Sequence, residues 1–378
     1  MNVTPFTIAI AESAIADLRQ RLTLARFPDV VSDDWSQGQK PSFVRTLTAQ
    51  WLEDFDWRAW ERRINAYPQF LTEIDGQTIH FLHIRSSEPN AIPLILTHGW
   101  PSSFLEFISV IGPLTDPKAH GREGAAFDLV IPSLPGYGFS TPLAGPGWDP
   151  IRTAKAWDTL MKGLGYKRYG AAGGDAGALV TRELAILKPE GLLGVHLQQV
   201  FAFPSGAEGE MDSLSPFELG GFANLEKFQQ YNGYAEIQSK RPGTLAYGLV
   251  DSPVAQLAWN AELAFGFEGE AANSFDRDLF LANTSIYWFT STGSGQGSFY
   301  LEGARTGGGY REIPTDVPTA VVSFPGDFRS VRSFVERSFS RIESWTEMEK
   351  GGHFGALDAP EAFAGDVAAF FSKLTAVA

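Results

Sequence analysis

Gly173-Gly174-Asp175-Ala176-Gly177 is the stretch on which the reading of this chain turns. It follows Arg168 to Ala172, which reads as a strand, and precedes a helix beginning near Ala178. A sharp strand-to-helix bend of this kind, a nucleophile elbow, holds one side chain exposed above a sheet and needs small neighbours; its usual form is Gly-x-Ser-x-Gly. Here Asp175 stands at the serine position. A carboxylate with a reference pKa of about 3.9 is ionised at neutral pH and attacks carbon without help from a base. Attack on a saturated carbon gives an alkyl ester, and hydrolysing that ester takes an activated water and a place for an oxyanion. Glycine-rich Asp turns are common, so the motif acquires meaning only with its surroundings.

Outward from the bend, continuous apolar runs recur at Ile92–Thr97, Phe127–Ile131, Leu192–Val200, Thr319–Phe324 and Ile342–Met348, mostly with helical stretches between them. Runs without polar alternation predict strands buried on both faces of a mostly parallel sheet, the α/β class. Ahead of them, Phe70–Ile74 and Gln77–Ile84 flank Asp75-Gly76, a dipeptide that favours a type I′ hairpin turn. Helical spacing over Glu12–Arg26 and Ser42–Asp54 predicts two amphipathic helices, which Trp51, Trp57 and Trp60 are expected to pack onto a core. Between about Leu214 and Gly309 the chain is helical or glycine-rich with no sheet strand, and reads as an inserted cap. Within it Ser252 is the expected N-cap and Pro253 the first residue of a helix reaching Phe265. The expected division is an N-terminal segment over 1–70, core over 71–213 and 310–378, and a mainly helical cap over 214–309.

Two further motifs complete a chemical set. Thr97-His98-Gly99-Trp100-Pro101 lies at the C-terminal end of a predicted strand, where ligands gather in open α/β sheets. The backbone N–H groups of Trp100 and Ala176 are expected to form an oxyanion hole, and His98 to shape the loop. Gly351-Gly352-His353-Phe354 follows the last predicted strand, and Phe324-Pro325-Gly326-Asp327 the one before it. The order nucleophile, acid, histidine is that of α/β hydrolases. His353 would take a proton from water while Asp327 fixes its tautomer. Trp100, Pro101, Trp288 and Phe354 are expected to line the substrate pocket.

The bulk numbers exclude several other classes. With 378 residues the chain exceeds one ordinary domain, which suits a core carrying an inserted module. Its net charge of −14, with no Lys/Arg block, repels polyanions and argues against nucleic acid as a partner. The absence of cysteine rules out disulfides, thiolate metal ligands and a cysteine nucleophile. No basic leader or bilayer-length apolar run is visible, so no membrane association is expected and a cytoplasmic location is the default.

With those residues in place, the chain resembles the epoxide hydrolases of the microsomal type over nearly its whole length. The resemblance rests on His98-Gly99-Trp100-Pro101 with Phe104 to Phe107, the Gly-Gly-Asp-x-Gly bend and Gly351-Gly352-His353-Phe354. It implies an α/β-hydrolase fold with a helical cap and an N-terminal meander. The implied reaction converts a hydrophobic epoxide and water to a vicinal diol through an Asp ester, with an Asp-His-Asp triad and no metal or cofactor. It also nominates Tyr234, in Gly233-Tyr234-Ala235-Glu236-Ile237-Gln238, and Tyr300, in Ser298-Phe299-Tyr300-Leu301-Glu302, as donors to the epoxide oxygen. Detoxification or secondary metabolism is the implied setting, and homodimerisation is left open. The chain departs from the family in carrying Ala176 where an aromatic residue usually follows the nucleophile, and no counterpart of the animal enzymes' membrane-anchoring N-terminal helix is expected. A haloalkane dehalogenase is the nearest rival, with Trp100 and Trp288 as halide donors. A non-catalytic ligand binder on the same fold is a second. A serine esterase is disfavoured because Gly-x-Ser-x-Gly does not occur; Pro135-Gly136-Tyr137-Gly138-Phe139-Ser140 reads as a loop bordering the site.

Overall fold

An apolar run has two faces to bury, and a sheet covered by helices on both sides buries them. The computed structural model, which describes residues 1–29, 31–265 and 276–376, realises this arrangement. Among the described residues the sheet contains β1 (Val3–Phe6), β2 (Gln69–Ile74), β3 (Gln77–Ile84), β4 (Ile92–Thr97), β5 (Phe127–Pro132), β6 (Tyr169–Gly173), β7 (Leu192–Gln198), β8 (Thr319–Ser323) and β9 (Ile342–Glu347). Their spatial order is β1-β2-β3-β5-β4-β6-β7-β8-β9. From β5 to β9 all neighbours run parallel, whereas β1, β2 and β3 are joined antiparallel at one side. Alternate residues of β4 feed opposite cores. Leu94 and Leu96 belong to the core that holds Phe363, Val367 and Phe371, while Ile95 belongs to that of Trp157, Leu160, Val180 and Leu184. Each fully buried aliphatic side chain of this kind contributes about 1.5–3 kcal/mol.

The mostly parallel α/β sheet is the expected one, and the β2–β3 hairpin turns where Asp75-Gly76 predicts it. Both residues adopt positive φ, 53° and 75°, as a type I′ turn requires. Two strands differ from expectation. β1 went unread because it is short and contains Pro5, which an edge strand tolerates since one of its sides needs no ladder hydrogen bonds. β9 is not buried on both faces: it closes the opposite edge, half-exposed along Ile342–Thr346, and its Glu and Thr residues suit that position.

Between β7 and β8 the described chain forms six helices and no strand: Pro216–Tyr231, Gly233–Lys240, Pro242–Asp251, Pro253–Ala264, Arg277–Phe289 and Gly293–Thr306. Residues 266–275 of the span read as a cap lie outside the described residues, as does residue 30 of the N-terminal segment. Ser252 caps its helix as expected, its hydroxyl accepting the Ala255 N–H at 3.2 Å. The N-terminal helices Glu12–Thr23, Pro41–Glu53 and Trp57–Asn65 pack against this group. Trp51 donates its indole N–H to Ser285 (2.9 Å) and Trp60 donates to Asp278 (2.7 Å), so both rings bury without orphaning a donor.

The connections after β4 and after β6 leave in opposite directions along the sheet, toward β5 and toward β7, which makes the carboxyl ends of β4 and β6 a switch point. Thr97 of β4 lies in register with Gly173 of β6, so the Trp100 loop and the Asp175 bend emerge side by side.

Candidate active site

Close approach dictates the small residues of the bend. A Cβ on Gly177 would stand 1.9 Å from the Thr97 carbonyl oxygen, and one on Gly99 would stand 2.5 Å from Asp175 Cβ. Asp175 itself has φ 51° and ψ −124°, a conformation that costs a non-glycine residue roughly 1–3 kcal/mol and recurs at functional sites. Its carbonyl accepts the N–H groups of Ala178 and Leu179, so the helix Ala176–Leu187 starts directly beneath the carboxylate. That start leaves the Ala176 N–H among the first-turn donors without a partner inside the helix.

Around the carboxylate, the Trp100 backbone N–H donates to Asp175 Oδ1 at 2.8 Å, and His353 Nε2 lies 3.3 Å from Oδ2. His353 Nδ1 donates to Asp327 Oδ1 at 2.7 Å. Burial alone would lower the pKa of His353, but Asp327 and Asp175 outweigh it and hold the imidazole well above its ordinary value. His98 differs. Burial pushes it down to about 4, its Nδ1–H donates to the Gly99 carbonyl (2.9 Å) and its Nε2 accepts the Leu134 N–H (3.1 Å). It is a neutral brace for the loop, as read from the sequence.

Asp175, Ala176, Asp327, His353, Tyr234 and Tyr300 all line one cavity of about 390 Å³, within the usual size of a small-molecule site. The rest of its wall is mainly aromatic and aliphatic, with Phe201, Phe228 and Phe299 among the contributors. Tyr234 and Tyr300 arrive from the helices Gly233–Lys240 and Gly293–Thr306, their rings 6.5 Å apart and edge to face. Burial first, and the Asp175 charge next, keep both phenols well above their ordinary pKa, so they remain donors.

None of Trp100, Pro101, Trp288 and Phe354, the expected pocket residues, is part of the cavity wall. Trp100 is fully buried behind the tyrosines: it stacks on Tyr234 at 4.8 Å, meets Tyr300 edge-on at 6.0 Å and donates its indole N–H to Gln296 at 2.7 Å. Phe354 packs edge-on against the His353 ring at 4.7 Å. Pro101 offers its carbonyl to Asn283. Trp288 lies under the Arg21 guanidinium, 5.7 Å away, on the N-terminal segment's side. A halide site needs ring N–H donors aimed at the nucleophile; the Trp100 donor is already engaged and Trp288 stands elsewhere, which removes the support for the dehalogenase reading.

The structure adds residues that sequence reasoning missed. Tyr310 lines the same cavity from a half-exposed position. Gln198 donates to the His353 carbonyl (2.7 Å) and accepts the Gly355 N–H (3.2 Å). Gln199 accepts the Asp175 N–H at 2.6 Å and donates to Asp327 Oδ2. Two polar residues ending an apolar strand at the carboxyl edge of a sheet were the available signal.

Known proteins resemble this chain along its whole length. The family model described as "Epoxide hydrolase N terminus" matches residues 3–107, and the one described as "Alpha/beta hydrolase family" matches 94–367. A protein of Stigmatella aurantiaca provisionally named an epoxide hydrolase is 40% identical, over 99% of this chain and 86% of its own. The solved epoxide hydrolase of Aspergillus niger is 31% identical with a TM-score of 0.86, covering 99% of this chain and 97% of that one. Juvenile hormone epoxide hydrolase of the silkworm Bombyx mori is 27% identical with a TM-score of 0.90, covering 100% and 95%. The likeness therefore runs from end to end, through the N-terminal segment as well as the sheet, and the chain belongs to the epoxide hydrolase family within the α/β hydrolases.

Proposed function

We propose that this chain hydrolyses a lipophilic epoxide to a vicinal diol, with Asp175 as covalent nucleophile. The observation that carries the reading is the division of labour around one carboxylate. Oδ1 is held by the Trp100 N–H, Oδ2 faces His353, and the carboxylate lines the same cavity as two phenols, the buried Tyr234 and the half-buried Tyr300. Oδ2 bonds to an oxirane carbon as the C–O bond breaks, and Tyr234 and Tyr300 donate to the oxygen that receives the electron pair. Water then attacks the ester carbonyl, its proton passing to His353 Nε2, while charge collects on Oδ1 beneath the Trp100 and Ala176 N–H groups. Collapse expels the diol, whose leaving oxygen takes the proton back from His353, and leaves one solvent oxygen in the carboxylate.

The electrostatics link the two halves. In the free enzyme two carboxylates raise the proton affinity of His353. Esterification removes the charge of one of them, so the imidazole becomes easier to deprotonate at the step that needs a base. In this reading 71–213 and 310–378 form the catalytic core, 214–309 is the cap that supplies both tyrosines, and 1–70 is a meander bracing it. Ala176 projects a single methyl into the cavity and leaves room beside the reacting carbon for a bulky substituent.

A single turnover in heavy-oxygen water should place label in the peptide holding Asp175. His353→Gln should accumulate an alkylated enzyme, its ester hydrolysis slowed roughly 100-fold or more. Turnover without label in that peptide, or no adduct in an otherwise folded His353→Gln protein, defeats the reading.

A further inference from the structure

The strand order β6-β7-β8 sets the residue after β7 between the loops that carry Asp175 and Asp327. That residue is Gln199, and it is 1% exposed. Its Oε1 accepts the Asp175 backbone N–H at 2.6 Å, while its Nε2 donates to Asp327 Oδ2 and lies 3.4 Å from both Nδ1 and the carbonyl oxygen of His353. Only one orientation of the amide serves both ends, because an N–H must meet an oxygen and a carboxylate must meet a donor. The backbone is held for the purpose: Gln199 has φ 69°, left-handed for a residue with a side chain, and the next N–H, of Val200, is tied to Ser330 Oγ at 2.8 Å. Such a conformation persists only where its surroundings over-determine it.

We propose that Gln199 is a positioning residue for both halves of the reaction, its single amide locking the nucleophile's bend to the carboxylate that orients His353. The proposal rests on the reading of Asp175 as nucleophile. Gln199 touches neither the reacting carbon nor its oxygen in that scheme. Its acceptor end fixes the bend against the Trp100 loop, which serves alkylation. Its donor end holds the Asp327 oxygen that His353 does not use, which keeps Asp327 in plane with the imidazole and serves ester hydrolysis. The neighbouring Gln198 acts differently, gripping the His353 loop through main-chain atoms and reaching Asp327 Oδ2 only at 3.4 Å.

Two substitutions separate the ends. Gln199→Glu keeps an acceptor for the Asp175 N–H but, once its buried carboxyl ionises at alkaline pH, loses the donor and sets a second anion against Asp327; Gln199→Met loses both. With styrene oxide as probe, adduct formation and adduct decay are followed separately by rapid quench and mass spectrometry, beside thermal melts. Above the pH at which that carboxyl ionises, Gln199→Glu should alkylate within about threefold of wild type while adduct decay slows roughly 100-fold, the cost of a misplaced base. The pH limb of decay should also move upward by about half a unit or more, since another anion near His353 strengthens its hold on the proton. Gln199→Met should slow both steps about tenfold or more. Wild-type decay rate and pH profile in Gln199→Glu throughout the alkaline range would overturn the proposal, as would equal losses in both steps that merely follow the melting temperature in both variants. No adduct on Asp175 in His353→Gln would instead overturn the nucleophile reading beneath it.

Discussion

Glu106 shows how much of this site is decided behind the groups that face the cavity. It is 3% exposed and accepts the Gly99 N–H at 3.0 Å, next to the Trp100 N–H that serves Asp175. Burial, opposed by that hydrogen bond and aided by the Asp175 charge, pushes its carboxyl from 4.5 up to about 8. The folded protein therefore keeps a proton that the unfolded chain releases above about pH 4.5. Across the window from about 4.5 to 8 the unfolded state binds fewer protons, so this group's contribution to stability falls as pH rises, by up to about 1.4 kcal/mol per pH unit, and levels off above the window. Glu106→Gln, a neutral isostere, should remove that slope. Urea midpoints from pH 5 to 9 are expected to fall less in the variant than in wild type, and parallel curves would refute the assignment. Nothing in the sequence around Phe104 to Phe107 announced this role, because the burial that creates it comes from packing of a loop against distant strands.

The bend between β6 and its helix was legible from five residues, and the reason is steric. Gly177→Ala should cost at least about 3 kcal/mol, since its Cβ meets the Thr97 carbonyl, a backbone atom that cannot step aside. The expected result is a protein that is insoluble or melts far below wild type; a variant with unchanged melting temperature would contradict the packing. Strands β2 to β8 were likewise visible as apolar runs bounded by turn residues, and the hairpin as Asp-Gly. β1 and β9 were misread for one shared physical cause: an edge strand need not be apolar on both faces nor supply every N–H, so neither composition nor Pro5 marks it correctly. The pocket wall was misjudged differently. Aromatic residues beside a motif look like lining, yet Trp100 and Phe354 support Tyr234, Tyr300 and His353 from behind.

Across the molecule, stability and chemistry are separable. Trp60 anchors the N-terminal segment to the helix Arg277–Phe289 and takes no part in the cavity wall. Trp60→Ala should lower stability by about 3–5 kcal/mol while the folded fraction keeps its turnover within about twofold. Guanidinium melts against single-temperature kinetics would test this, and a large loss of turnover at full folding would show that the segment shapes the site. The sequence by itself determined the sheet class, the tight bend that carries Asp175 and the chain order Asp175, Asp327, His353 of the residues proposed as nucleophile, acid and histidine, because these follow from local sterics and periodicity. Only the tertiary structure decided that Gln199 and Glu106 stand behind the groups around that aspartate. The strand order brings the ends of β4, β6, β7, β8 and β9 to one edge, and so sets Trp100, Asp175, Gln199, Asp327 and His353 side by side although up to hundreds of residues separate them in the chain. Adjacency of that kind is a property of the folded sheet, which no local pattern encodes.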